Sequence, residues 1–208
     1  MTTTQRGGLF SIKSKCYSQC MPEKNIKIVQ KEDPVLRQEA KAVPVSEITS
    51  EKIKKDIEKM KNALDSQSDG VAIAAPQIGL SLRIFVISGK VFQLIKLQKN
   101  GTEEEIDFKT LKKTELDEVY INPKIIKSSK ESEFMEEGCL SVRWLYGKVK
   151  RAKKVTIEAW NENGETFRRG AGGLLAQIFQ HETDHLNGTL FIDKAVDIEE
   201  MEAEGNNN

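Results

Sequence analysis

The stretch that decides the fold of this chain is "LLAQIFQHETDHLNG", residues 174–188. Its apolar residues recur at the spacing of an amphipathic helix, and Asn187 followed by Gly188 is a typical signal for the end of one. His181 and His185, the two histidines of the 208-residue chain, are four positions apart and therefore share one helix face. The pattern predicts a helix that presents two imidazoles to the same side.

Glu182 directly follows the first histidine, which makes "HETDH" a match to the H-E-x-x-H motif. In this motif the two histidines bind one metal ion, and the glutamate moves a proton to or from a water molecule at that ion. A histidine pair with a purely structural role is the alternative. Because the whole histidine content lies at ligand spacing beside a glutamate, the sequence favours a metal site.

Two histidines do not complete a metal site, so further ligands are needed. A downstream carboxylate, from Glu199, Glu200 or Glu202, would give the ligand set of a zinc peptidase. The pair Cys16 and Cys20 would instead give a closed structural site, which leaves the glutamate of the motif without a role.

Cys139, in "EEGCLS", is the third source of a ligand. Gly138 precedes it and lets a backbone or a substrate come close, because glycine has no side chain. A small buried apolar residue is the alternative role for such a cysteine. The segment alone does not decide between the two roles.

Three segments taken together resemble the signature motifs of the peptide deformylases. In chain order they are "GVAIAAPQIG" at 70–79, "EGCLS" at 137–141 and "QHETDHLNG" at 180–188. The resemblance extends to "DPVLRQEA", "YINPKII" and "GLLAQIFQHETDHLNGTLFID", and it covers roughly residues 26 to 193.

The resemblance implies a metal-dependent hydrolase that removes the formyl group from the N-terminal formyl-methionine of newly synthesised polypeptides and releases formate. It implies one divalent metal ion, which is Fe²⁺ with Zn²⁺, Ni²⁺ or Co²⁺ as substitutes. The implied ligands are Cys139, His181 and His185. It also implies Glu182 as the catalytic acid and base, and an oxyanion hole formed by Gln77 and the backbone N–H of Leu140. An H-E-x-x-H zinc peptidase with a downstream glutamate ligand is the alternative function.

The same resemblance implies that the substrate peptide adds as a strand along the backbones of Gly70, Val71 and Ala72 and of Glu137 and Gly138. We predict that an apolar pocket for the methionine side chain is formed by Val71, Leu174 and Ile178.

The chain departs from the family pattern in a few places. Ala72 occupies a position that is usually glycine, and Arg143 and Trp144 stand where proline and glycine usually follow "EGCLSV". Because none of these residues is an expected ligand, we expect the departures to affect peptide preference and not the chemistry.

The expected fold class is α+β, with antiparallel sheets packed around the central helix that carries the H-E-x-x-H motif. Ser50 is a predicted N-cap, and the apolar residues that follow it at helical spacing are Ile53, Ile57, Met60 and Leu64. Asp33 before Pro34 predicts a second helix start. The predicted strands are "IKIV", "LRIFVI", "VFQLIKLQ", "VYINPKII", "KVTIEAW" and "ETFRR".

The predicted organisation is one catalytic domain at 23–195 with a charged insertion between strands at 88–118. Residues 1–22 hold three basic residues and no acid, which is typical of an unstructured extension or of a weak targeting segment. Residues 196–208 form an expected acidic, flexible tail.

The formal net charge of zero gives no reason to expect a DNA or membrane partner. Three scattered cysteines are typical of a reducing compartment. We expect a bacterial-type cytoplasm, or an organelle if the N-terminal 20 residues are a transit peptide, and we expect a monomer. The expected partners are formyl-methionyl nascent peptides, with transient ribosome contact.

Overall fold

A computed structural model describes residues 26–101 and 106–201 of the chain. The helices are α1 (Glu51–Asp65), α2 (Gly89–Lys99) and α3 (Gly173–Leu186). The strands are β1 (Ala72–Ala74), β2 (Ile84–Ile87), β3 (Glu118–Ser128), β4 (Ser132–Cys139), β5 (Val142–Ala152), β6 (Lys154–Trp160), β7 (Thr166–Gly172) and β8 (Val196–Glu200). Within this part of the chain no helix is long and apolar enough to cross a membrane.

The strands form two antiparallel sheets. One has the order β1-β2-β3-β6-β7 and the other the order β4-β5-β8. Helix α3 contacts strands of both sheets, and its buried Phe179 packs with the rings of Phe85 and Tyr120. The predicted α+β class, with antiparallel sheets around the motif helix, is confirmed.

The predicted helix after Ser50 is present as α1. The Ser50 hydroxyl accepts a hydrogen bond from the Ile53 N–H, and the four apolar residues that follow at helical spacing are all buried. The predicted start at Asp33 is also present, although Pro34–Arg37 form a single 3₁₀ turn instead of a longer helix.

The segment "VFQLIKLQ" is helical, so the strand prediction for it was wrong. Ser88 caps the helix through a hydrogen bond from the Lys90 N–H, and the helix ends before Asn100 and Gly101. The apolar residues Val91 and Ile95 are four positions apart and pack into the core cluster around α3, which is a helical and not an alternating pattern.

Two other predictions need correction. The segment "IKIV", 26–29, joins no sheet, although the Val29 N–H donates to the Gln77 carbonyl at 2.9 Å. The expected flexible tail begins with strand β8, Val196–Glu200, which pairs with β5. Val196 and Ile198 alternate with acids, and this period of two suits an edge strand.

The charged segment 88–118 lies between β2 and β3, where the sequence placed an insertion. Strands β4 and β5 were not predicted from the sequence. They form a long antiparallel hairpin in which β4 ends at Cys139 and β5 begins at Val142. This hairpin carries the second motif to the side of α3.

Candidate metal centre

Cys139 at the end of β4 meets two side chains of α3. One potential ligand atom each from Cys139, His181 and His185 lies within 4.8 Å of the others. The Cys139 Sγ is 3.2 Å from His185 Nε2. Within residues 26–101 and 106–201, this is the one group of His, Cys, Asp or Glu side chains found that could hold a metal ion.

A carboxylate fixes the orientation of the first histidine. His181 Nδ1 lies 2.9 Å from the Glu137 Oε2, an arrangement that places the proton on Nδ1 and leaves the lone pair of Nε2 for a ligand. The His185 Nδ1 is buried and has no hydrogen-bond partner among the described residues. The donor set of one thiol and two imidazoles suits a transition-metal ion and leaves one position open in a four-coordinate site.

Arg151 holds Glu137 in place from the opposite side. Its Nε and Nη2 donate to the two carboxylate oxygens at 2.7 and 2.8 Å, and its Nη1 donates to Asp184 at 2.6 Å. Both Arg151 and Glu137 are buried. The bidentate pair therefore locks the carboxylate that orients His181.

The charge state of Glu137 follows from these contacts. Burial by itself would raise the pKa of its carboxyl, but the hydrogen bonds from Arg151 and His181 outweigh burial and lower the pKa from 4.5 to about 2. Glu137 is thus ionised at neutral pH and accepts the hydrogen bond from His181.

Glu182 is the opposite kind of carboxylate. Its side chain is buried, it lines the cavity beside Cys139, and its Oε2 has no hydrogen-bond partner among the described residues. Burial raises its pKa from 4.5 to about 7. A carboxyl with a pKa near neutrality can take up and release a proton at working pH.

Gln77 is buried on the other side of the cysteine. Its Oε1 accepts a hydrogen bond from the Ala74 N–H at 2.8 Å, so the amide nitrogen is directed away from this strand end. That nitrogen lies 3.2 Å from Ser141 Oγ and 3.5 Å from Cys139 Sγ. Gln77 therefore presents a fixed hydrogen-bond donor next to the candidate metal ligands.

A cavity of about 280 Å³ opens between the two sheets. Strand β1 is the edge of the larger sheet, β4 is the edge of the smaller one, and both border the cavity. The expected site residues that line it are Val71, Ala72, Gln77, Glu137, Gly138, Cys139, Leu140, Leu174, Ile178, His181 and Glu182.

Two of the expected site residues do not line the cavity. His185 lies beneath it, in contact with the Cys139 sulfur. Gly70 packs against α1 instead, because a Cβ at this position would lie 2.8 Å from the Leu64 Cδ1. Gly70 therefore packs closely against the end of α1, and Val71 is the first residue of the motif at the cavity.

The competing ligand sources are not part of this cluster. Glu199 and Glu200 lie in β8 with exposed side chains. Glu202, Cys16 and Cys20 fall outside the described residues. Among the candidate third ligands in the described residues, Cys139 is therefore the one that lies beside His181 and His185.

Sequence reasoning missed the side chains that support the site. Glu137 was expected to contribute only its backbone, and Arg151 was part of the basic run "KVKRAKK" at 148–154. The signal was the alternation of that run: Val149 and Arg151 share the buried face of β5, while Lys148 and Lys150 are exposed. A basic residue in phase with buried apolar residues requires an acidic partner.

Comparison with known proteins agrees with this geometry. The family model described as polypeptide deformylase matches residues 26–201. A peptide deformylase of Halothermothrix orenii is 45% identical over 173 residues, which cover 81% of this chain and 93% of that protein. A chloroplastic peptide deformylase 1A of Solanum lycopersicum is 36% identical over 195 residues, 93% of this chain and 66% of that protein.

Solved structures give the same result. A peptide deformylase of Synechococcus elongatus in complex with actinonin superposes with a TM-score of 0.66 at 31% identity, covering 93% of this chain and 88% of that one. The peptide deformylase of Thermotoga maritima gives a TM-score of 0.66 at 34% identity, with 83% and 99% covered. The chain therefore belongs to the peptide deformylase family, whose reaction is the removal of the N-formyl group from newly made polypeptides.

Proposed function

We propose that Cys139, His181 and His185 hold one divalent metal ion and that the residues around them divide the work of deformylation. The observation that carries this proposal is the approach of the three ligand atoms to within 4.8 Å, next to a buried carboxylate oxygen without a partner. When bound, the ion supplies Lewis-acid chemistry to a water molecule and to a carbonyl oxygen.

Glu182 acts as the proton carrier of the reaction. Its buried carboxylate accepts a proton from the attacking water and then donates it to the nitrogen that leaves as the free N-terminus. Its raised pKa, about 7, supports both transfers because neither protonation state is strongly disfavoured near neutral pH.

Gln77 and the backbone N–H of Leu140 stabilise the negative charge that develops on the formyl oxygen. The hydrogen bond from Ala74 supports this role, because it fixes the amide so that its N–H groups face Cys139 and Ser141. A donor held in place before the reaction needs no reorganisation when the charge forms.

The substrate lies in an extended conformation between the edges of β1 and β4. Each edge strand has unpaired backbone groups, and a peptide strand between them can pair with both, along Val71 and Ala72 and along Glu137 and Gly138. The methionine side chain enters the apolar end of the cavity, at Val71, Leu174 and Ile178.

We propose Fe²⁺ as the resident ion, with Zn²⁺, Ni²⁺ or Co²⁺ as functional substitutes. A thiolate ligand is compatible with iron and zinc alike, and a thiolate beside a redox-active ion is open to oxidation. Metal analysis after anaerobic purification is expected to find iron. Verified iron-loaded enzyme that keeps full activity through prolonged aeration would instead favour zinc.

The enzyme meets its substrates as nascent chains, and we propose a transient ribosome contact through the lysines of 148–154. Arg151 is not available to this surface because it is buried, and Lys148 and Lys153 form exposed ion pairs with Asp197 and Glu133. Co-sedimentation with ribosomes at low salt is expected to weaken when Lys148, Lys150 and Lys153 are changed to Glu. Unchanged binding would exclude this surface.

For the compartment we propose a bacterial-type cytoplasm or an organelle that makes formylated proteins. The relatives include bacterial proteins and a chloroplastic one. Fusion of residues 1–25 to a fluorescent protein tests the organellar option, since a transit peptide carries its cargo into the organelle and an inert extension leaves it in the cytoplasm.

One substrate assay distinguishes deformylation from peptide-bond cleavage. Release of formate from a formyl-methionyl tripeptide, with the peptide bonds left intact, is expected of the purified enzyme. Cleavage of an internal peptide bond would instead support the zinc peptidase alternative.

A further inference from the structure

Two aromatic side chains at the mouth of the cavity have no part in the chemistry above. Trp144 and Tyr146 line the cavity and are 40% and 39% exposed. Large exposed aromatic side chains at a cavity mouth are typical of binding surfaces, because their apolar rings gain free energy when a ligand covers them.

Tyr146 packs over Gly138, the residue next to the candidate ligand Cys139. A Cβ at Gly138 would lie 2.7 Å from the tyrosine ring. The glycine thus makes room for the ring directly beside the β4 edge where the substrate backbone runs.

Trp144 is held in an unfavourable backbone conformation. Its φ is +68°, a left-handed value that costs a non-glycine residue on the order of 1 kcal/mol or more. Its carbonyl accepts a hydrogen bond from the Met201 N–H at 2.8 Å, which anchors this conformation from the side of β8. Strain that the surrounding structure maintains at a site is an indication of function.

Arg143 secures the same segment across the cavity mouth. Its guanidinium donates to both Asp69 oxygens at 2.6 and 3.3 Å and to the Gln67 side chain at 2.6 Å. It also lies 6.0 Å from the Trp144 ring centroid. The aromatic pair is therefore fixed relative to the segment that precedes β1, the other wall of the substrate path.

The direction of the substrate side chains decides which of them meets this pair. Successive side chains of a strand point to opposite faces. On β5 the residues Gly147, Val149 and Arg151 are buried, and Arg151 contacts Asp184 of α3, whereas Tyr146 belongs to the exposed face. A methionine that points toward α3 therefore leaves the second side chain of the peptide pointing toward the exposed face, at Trp144 and Tyr146.

We infer that Trp144 and Tyr146 form a subsite that selects an apolar or aromatic second residue in formyl-methionyl peptides. The inference rests on the strand-like placement of the substrate proposed above. Arg143 and Asp69 are positioning residues for this subsite, since their contacts hold the Trp144 segment. The two rings stack against an aromatic or large aliphatic side chain, and the charged groups Arg143 and Asp69 beside them are already paired with each other.

The test compares formyl-Met-Xaa-Ser peptides in which Xaa is Phe, Leu, Ala, Lys or Glu. We expect kcat/KM for Phe and Leu to exceed that for Ala roughly threefold to tenfold, the range of aromatic pair contacts. Trp144→Gly combined with Tyr146→Ala is expected to reduce this ratio to near one. Phe134→Ala is the matched control, because Phe134 is exposed on the same sheet but does not line the cavity; it is expected to keep the ratio.

Equal rates for Phe, Leu and Ala in the unaltered enzyme would overturn the inference, as would a double variant that keeps the preference. The substrate placement is tested separately with Leu174→Ala and formyl peptides that carry Met or Ala as the first residue. A Leu174 variant that retains the full preference for Met would show that the placement itself is wrong. If Leu174→Ala loses the preference for Met while the Trp144 and Tyr146 double variant keeps the preference for Phe and Leu, the aromatic subsite alone is refuted.

Discussion

The two faces of the β4–β5 hairpin have different roles. The inner face carries Glu137 and Arg151, which are buried, mutually paired and connected to His181. The outer face carries Trp144 and Tyr146, which are exposed and touch the cavity only at its mouth. Alternation along a strand thus separates the support of the metal site from the contacts that can vary with the substrate.

The largest effect in this comparison is expected at Cys139, the candidate ligand that ends β4. Cys139→Ala is expected to lose the metal and activity together, because two histidines alone do not hold a catalytic ion. Metal content by elemental analysis and formate release measure the two losses. Glu199→Ala and Glu200→Ala are the controls and are expected to keep both, and loss of metal from a glutamate variant would favour the peptidase ligand set.

Glu182→Gln is expected to reduce kcat by a factor of about 10² to 10⁴, the usual contribution of a general acid and base. The amide has the same shape but cannot accept a proton from water. Metal content should stay close to that of the unaltered enzyme, which distinguishes this variant from the cysteine variant. A variant with near-normal turnover would remove Glu182 from the mechanism.

On the inner face, Arg151→Met is expected to weaken metal affinity about 10-fold to 100-fold, because the carboxylate that orients His181 loses its anchor. It is also expected to lower the free energy of unfolding by about 3–5 kcal/mol, since the change leaves Glu137 as an uncompensated buried charge. Metal titration and denaturant unfolding check the two effects.

Lys148→Met supplies the matched control for that change. Lys148 lies on the outer face of the same strand, and its ion pair with Asp197 is exposed on both sides. The expected change in the free energy of unfolding is below about 1 kcal/mol. Equal effects of the two substitutions would contradict the difference between the faces.

The smallest effect is expected for Arg143→Ala at the rim. Its pair with Asp69 is partly exposed, so the loss of stability should be within about 1 kcal/mol. The change is expected in peptide preference instead, because the Trp144 segment loses its anchor. Turnover of a formyl-methionyl peptide with alanine in second place should stay nearly unchanged, and a large fall in its kcat would assign Arg143 to the chemistry.

The sequence predicted the parts of this molecule that depend on local patterns. The H-E-x-x-H helix, the Ser50-capped helix and most strands of the larger sheet follow from periodicity and capping. Segment 91–98 was assigned to the wrong class because short apolar runs suit strands and helices alike, and here the Ser88 cap decides in favour of a helix.

The supporting side chains of the site could not be found in this way. Glu137 and Arg151 are 14 positions apart and meet only because β4 and β5 pair in one register. Pairing of strands is a tertiary property that local patterns do not reveal. Arg151 is the one buried basic residue in a run whose lysines are exposed, so its composition gives no sign of its role. The motif resemblance identified the candidate ligands and Glu182, whereas the contacts across the hairpin are visible only in the structure.

Strand β8 has a further consequence for handling the enzyme. It covers the edge of β5 that β4 leaves open, and it carries three exposed acidic residues, Asp197, Glu199 and Glu200. A preparation shortened before Val196 would present a bare strand edge beside Trp144 and Tyr146, two exposed rings. Unpaired edges next to apolar surface are sites of edge-to-edge association, so these few residues act as a guard against aggregation at the mouth of the active site.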